Sequence, residues 1–253
     1  VNNSANASIN VRVVPNSKFV SDTAFTTTMN GYLSNPDLIV PETIRWLTTG
    51  DDGLAVLSSQ LRTAIRSLDD RIRYPFSILM NGGYTAVEVQ QEMVSLAIKR
   101  NDCFAILDMP SDMQGTAQKA REYRLYTMNI DSSYGAIYTP DLLIADIATS
   151  ERRYIPPSGF VGAIYAYNDR VASVAHAPAG LNRGILRNVI DLRVNYKPAD
   201  EELMHPVGIN CIIDKPGNGP VIMGEETLQV KKSLLSSVHA RRLVSLLEVT
   251  LVD

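Results

Sequence analysis

The chain is poor in the residues that usually announce chemistry: two cysteines, three histidines and one tryptophan among 253 residues. Cys103 and Cys211 sit inside the apolar stretches CFAIL and INCII, which fits two buried, reduced thiols. A single bridge between them would not make a disulfide scaffold. No excess of one charge is present either, the formal net charge being -3. That gives no reason to expect a nucleic-acid or anionic-membrane partner. No apolar run approaches the ~20 residues of a membrane-spanning helix, so membrane insertion is not expected. The opening VNNSANAS has neither a basic region nor an apolar core, so it does not resemble a secretory signal. Without secretion, its two sequons at Asn2 and Asn6 carry no weight, and it reads as a polar tail.

Reactive constellations are also missing. There is no Gly-x4-Gly-Lys-Ser/Thr, no Gly-x-Gly-x-x-Gly and no Gly-x-Ser-x-Gly. His176, His205 and His239 lack the Cys or carboxylate spacing of a metal site. Cys103 lies mid-strand in an apolar run, an unfavourable place for a nucleophile. Asp108 is the position that competes. It ends the strand CFAIL, where open α/β sheets place ligand-binding carboxylates, and Asp131 or Asp102 could complete an acid-base or metal pair. The plainer reading is a strand-ending turn before Met109-Pro110, with the carboxylate bonding nearby amides. Pro216-Gly217-Asn218-Gly219 leads into a strand rather than a helix, so it is a hairpin turn and not a phosphate cradle. Arg241-Arg242 and the arginines of the first helix are expected to be solvated or interface charges. The expected roll of catalytic, cofactor-binding and metal-binding residues is therefore empty.

What is present is a core. Hydrophobic residues make up 45% of the chain, enough for one large domain or two smaller ones. INVRVVP forms a short strand closed by Pro15, and residues 16–52 do not sort into clear elements. From Gly53, Leu54, Leu57, Leu61, Ile65, Leu68 and Ile72 share one helix face, and Pro75 stops it. FSILM (76–80) is a buried strand, followed by the turn Asn81-Gly82-Gly83. A capping box of Thr85 and Glu88 opens a helix with Val89, Met93 and Leu96 inward. CFAILD (103–108) is a second buried strand, and a third helix runs from about Met113 to Tyr126, capped by Ser111 or Asp112. This alternation implies parallel pairing. Further on come YGAIYTP and DLLIADIATSERRYIPP as strands or a hairpin, and a helix after Gly159. A helix is expected with Leu181, Ile185, Val189, Leu192 and Tyr196 on one face. The hairpin GINCII/PVIMG precedes a last helix over Lys232–Leu247, with EVTLVD as a strand-like end. The expected class is α/β (α+β), a mixed sheet with helices packed on it. Residues 1–52 form a smaller β-containing region and residues 53–253 the core domain.

Several segments carry more than their periodicity. Tyr154-Ile155-Pro156-Pro157-Ser158-Gly159 and the small-residue helix ending at Asp169, followed by His176-Ala177-Pro178-Ala179-Gly180, resemble a pattern of the contractile tail sheath proteins. That pattern is a Val-Pro-Pro-Ser-Gly step, a helix ending in Asp, and a Lys/Ser-Ala-Pro-Ala loop. Gly208-Ile209-Asn210, Pro216-Gly217-Asn218-Gly219, Gly224-Glu225-Glu226-Thr227 and Val238-His239-Ala240-Arg241-Arg242-Leu243 resemble that family's Gly-Val-Asn strand, Pro-Gly-x-Gly turn, Gly-Ala-Arg-Thr corner and Arg-Arg-Leu helix, in the same order. Ile106-Leu107-Asp108-Met109-Pro110 is similar to its Ile-Leu-Asp-x-Pro strand end, and SSYGAIYTP to its Ser-x-Tyr-Ala-Ala-Leu-Tyr-Tyr-Pro segment. The likeness spans roughly residues 103–247. One departure is Glu225-Glu226 where the family has Ala-Arg, which suits a distant branch such as that of a giant phage.

The resemblance implies a structural subunit of a phage virion tail, without enzyme activity or cofactor. Such subunits polymerise as hexameric rings stacked helically around a tail tube protein and contract to drive the tube through the host envelope during genome delivery. Partners would be further copies of the chain, the tube, and baseplate and tail terminator proteins, with assembly in the host cytoplasm. It also implies a long segment after the Arg-Arg-Leu helix, including a terminal arm that adds strands to a neighbour's sheet. The expectation is a core fragment lacking its C-terminal arm, and hence a monomer. Two other readings stand beside this one: an α/β enzyme with its carboxylate site at Asp108, and the sheath of another contractile injection machine.

Overall fold

The computed structural model describes residues 55–146 and 151–252. The expectations for residues 1–52, including the strand INVRVVP, lie outside the described residues.

Helix α1 (Ser58–Arg66) precedes the short strand β1 (Ile78–Met80). Helix α2 (Val87–Arg100) then leads to β2 (Phe104–Asp108), all five of whose residues are buried. A strand covered on both faces is written as an unbroken apolar run, which is why FAIL was legible. Helix α3 (Ala117–Glu122) continues as a π-helical stretch, Tyr123–Met128, into β3 (Gly135–Thr139). Strands β4 (Leu142–Ala145) and β5 (Arg152–Ile155) form an antiparallel hairpin, followed by α4 (Ser158–Val171). The short helix α5 (Gly180–Arg183), β6 (Asp191–Leu192) and α6 (Pro198–Met204) lead to the hairpin β7 (Ile209–Lys215)/β8 (Gly219–Ile222). Helix α7 spans Val238–Val252.

The main sheet has the order β1-β2-β3-β7-β8, parallel until the last pair, and β5-β4-β6 form a small antiparallel sheet. Side chains alternate across the main sheet, so each strand feeds two cores. Ala105, Leu107, Ile137, Ile209 and Cys211 face one core, with Val89 and Met93 of α2, Ala120 of α3 and Met204 of α6. Phe104, Ile106, Tyr138 and Ile212 face the other, with Val161 and Tyr165 of α4, Leu186 and Val238. Helices on both faces of a mixed sheet agree with the expected class.

Local boundaries differ where side chains recruit the backbone. α1 ends at Arg66, short of Pro75, because the Asp70 carboxylate accepts from the amides of Ile72 and Arg73 and turns the chain. Ile72, expected on the apolar face, is 95% exposed. The Thr85–Glu88 box does not form, since α2 starts from Ala86 with no side-chain cap. Thr116, not Ser111 or Asp112, caps α3 by accepting from the Lys119 amide, while Ser111–Met113 make a separate 3-10 turn. The helix expected from Leu181 stops at Arg183. Beyond it the backbone pairs with the β8 edge, the Ile222 amide donating to Gly184 and the Leu186 amide to Pro220, both at 2.8 Å. The last helix begins at Val238 because residues 226 and 237 are bridged and the Thr227 amide donates to Ser236, which keeps the preceding segment out of the helix. It runs on to Val252, so residues 248–252, expected to be strand-like, are helical.

Candidate functional site

Several of the segments singled out in the sequence meet at three junctions of the main sheet. The first is Asp108. One carboxylate oxygen accepts from the Gly83 amide at 3.1 Å and the Ser158 hydroxyl at 2.8 Å, and the other accepts from the Ser158 amide at 2.7 Å. The Asp108 amide donates to Asn81 Oδ1, and its carbonyl accepts from Gln90. Strand end, the loop after β1 and the first turn of α4 are thus tied by one side chain, placed where a helix N-terminus favours negative charge. Gly83 adopts φ +89°, and a Cβ there would lie 3.0 Å from Pro156, so loop and Pro-Pro step also touch. Burial pushes the Asp108 carboxyl up to about 6, against the opposing pull of the Ser158 and Gly83 donors.

This geometry fits the plainer reading of Asp108 as a structural carboxylate that bonds backbone amides. The residue is fully buried and both oxygens are engaged. Its proposed partners are held elsewhere, Asp102 by the Arg100 guanidinium and Asp131 by the Val230 amide. Cys103 and Cys211 are free and buried, and burial pushes both thiols up to about 12, so neither is poised as a thiolate. Among the described residues, no three His, Cys, Asp or Glu side chains gather as a metal site.

The second junction is built on Asn210 of β7. Its amide nitrogen donates to the Glu226 and Ile137 carbonyls, and its oxygen accepts from the Glu226 amide at 2.7 Å. A Cβ on Gly224 would sit 2.6 Å from Asn210 Oδ1, so only glycine lets the corner close on this asparagine. Gly208, at φ +78°, comes as close to the Thr227 carbonyl, and the Thr227 hydroxyl donates to Leu235. The Gly208-Ile209-Asn210 strand start and the Gly224–Thr227 corner are therefore two halves of one lock. The acids that stand where the family has Ala-Arg find partners inside the chain: Glu225 shares a hydrogen bond with His239 Nδ1, and Glu226 pairs with Lys232.

The third junction corrects the expectation of solvated or interface arginines. Arg241 and Arg242 are 4% and 5% exposed. Arg242 donates to both carboxylate oxygens of Asp169, the last acid of α4, from its two terminal nitrogens, and its guanidinium carbon lies 4.7 Å from the centre of the Tyr165 ring. Tyr165 in turn shares a hydrogen bond with Tyr138 of β3. Arg241 stacks on Tyr134 at 4.2 Å and reaches Ser245 and Glu248. Two further buried arginines were not anticipated. Arg100 holds Asp102 and the Leu68 and Tyr74 carbonyls while lying over Phe76, and Arg124 donates to Leu228. The one signal for Arg100 was Asp102 two residues on; Arg124 had none.

The arrangement is a set of structural locks. Residues 59–228 match the family described as the phage tail sheath protein central domain. The tail sheath protein of Enterobacteria phage T4 is 27% identical over 177 residues, covering 65% of this chain and 27% of that protein. The tail sheath protein of Vibrio phage KVP40 is 29% identical over 126 residues, 50% of this chain and 19% of that protein. Among solved structures, the sheath complex of the extracellular contractile injection system PVC, in its contracted state, superposes with a TM-score of 0.60 at 23% identity. That match covers 78% of this chain and 50% of the other. The chain belongs to the phage tail sheath family. It spans about a quarter of the length of the curated relatives it matches.

Proposed function

We propose that the chain is a structural subunit of a contractile phage tail sheath, polymerising helically around the tail tube and contracting to drive it through the host envelope. The observation that carries this reading is the family match over residues 59–228, which encloses the Asp108–Ser158 and Asn210–Glu226 junctions. These junctions turn the family's recurrent residues inward, as a body that moves as a unit requires. Contraction then needs no reactive group: a metastable extended polymer relaxes to a more stable wide one by near-rigid movement of its subunits. Hexameric rings would be joined by interfaces that do not close on themselves. The partners of this reading are further copies of the chain, the tube, the baseplate and the tail terminator, with assembly in the host cytoplasm and residence in the virion tail. Both matched curated relatives are phage proteins, which favours a phage tail over another injection machine.

Immunogold labelling of intact virions with antibodies against this chain tests the proposal. Gold along the tail shaft is the expected pattern. Labelling of the head, or of no part of the particle, refutes it.

A further inference from the structure

Resting on that reading, we infer that the pocket between α4 and α5 receives the acidic, leucine-bearing face of α6 from a second copy of the chain, head to tail. The pocket, of about 370 Å³, is floored by Phe160, Ile164, Tyr167 and Leu186. Arg183 and Arg187 stand on its wall, and Arg170 lies over the Tyr167 ring. Tyr167 is 49% exposed, although it is a large aromatic on a helix that buries its opposite side. No carboxylate among the described residues forms an ion pair with any of these three arginines. The site is thus apolar at its floor and cationic at its rim, a form suited to an apolar side chain flanked by acids.

Helix α6 carries that complement. Its sequence, PADEELM, places Asp200, Glu201 and Glu202 in a row, with Leu203 next to them and 36% exposed. Ala199, Glu202, Leu203 and Pro206 recur at helical spacing, and all four are exposed. Glu201 and Glu202 form no ion pair with a described residue, whereas the Asp200 carboxylate is occupied in accepting from the Lys197 amide.

The two surfaces lie on opposite sides of one sheet. α6 is anchored by Met204 in the core that contains Leu107 and Ile209, while Phe160 and Ile164 pack on the core that contains Ile106 and Ile212. They therefore cannot meet within one subunit. A contact between them across two subunits is heterologous and propagates, which is the kind an open helical array needs.

The test is to introduce Arg187→Cys and Glu202→Cys, singly and together, into the phage gene and to treat purified tails, extended and contracted, with a short bismaleimide. Both positions are exposed, and the native Cys103 and Cys211 are buried away from the reagent. The expected result is a ladder of covalent oligomers on a denaturing gel from the double variant in at least one state, and its loss in either single variant. A band that stops at the dimer, a product joined to a different protein, or no product in either state overturns the inference. Such a failure with gold still on the tail shaft leaves the sheath reading standing. Absence of the chain from the tail removes both.

Discussion

At the end of β2, the fully buried Asp108 carboxylate meets two backbone amides and the Ser158 hydroxyl. Its carboxyl is raised to about 6 in the folded chain, whereas an unfolded aspartate titrates at about 3.9. The unfolded state therefore loses this proton first as pH rises. Stability from the group is present in full below about 4 and is lost as pH climbs towards 6. Asp108→Asn cannot ionise, so the stability difference between native and variant, measured by urea unfolding, is expected to shrink from pH 4 to pH 7. The change is on the order of 3 kcal/mol at most. A difference that grows over this interval contradicts the assignment. The sequence places Asp108 at a strand end with nearby backbone amides as its partners; the partners are amides, but those of Gly83 and Ser158, 25 and 50 residues away. The distant partner, Ser158, was invisible because it lies 50 residues away. The same limit hid the burial of Arg242, whose mate, Asp169, is 73 residues upstream.

At the level of elements, the clasp between α4 and α7 is the clearest test of packing. Arg242→Met keeps the stem but strands the Asp169 carboxylate, which is three-quarters buried. Breaking a buried pair from one side leaves an uncompensated charge. A loss of about 3 kcal/mol is expected by urea unfolding, the lower end for such a change because Asp169 keeps some water. Amide exchange should quicken in α7. An unchanged midpoint would mean that the pair contributes nothing to the clasp. Strands β2, β3 and β7 were legible because burial on both faces demands uninterrupted apolar runs, whereas FSILM, expected to be a buried strand, is the sheet's edge strand β1, with Ile78 and Leu79 half-buried and Met80 exposed. The helix over 181–196 was misread because leucines and isoleucines at steps of three or four also serve an extended segment that crosses between two cores. Gly184 and Asn188, the latter at φ +62°, were the local signs that the helix would break.

For the whole molecule, the junctions bind both faces of the main sheet into one body: Asp108 joins β1, β2 and α4, Asn210 joins β3, β7 and the corner before α7, and Arg242 joins α7 to α4. On the proposed sheath reading, a body closed in this way favours movement as a unit during contraction, with the change confined to contacts between copies. The measurement that tests the account most directly is electron cryomicroscopy of the phage tail before and after contraction. The account predicts this fold repeated on a helical lattice around the tube, superposable between the two states and differing only in orientation and neighbours. Density for the tail shaft that excludes this fold, or a main sheet rearranged between the states, would contradict it.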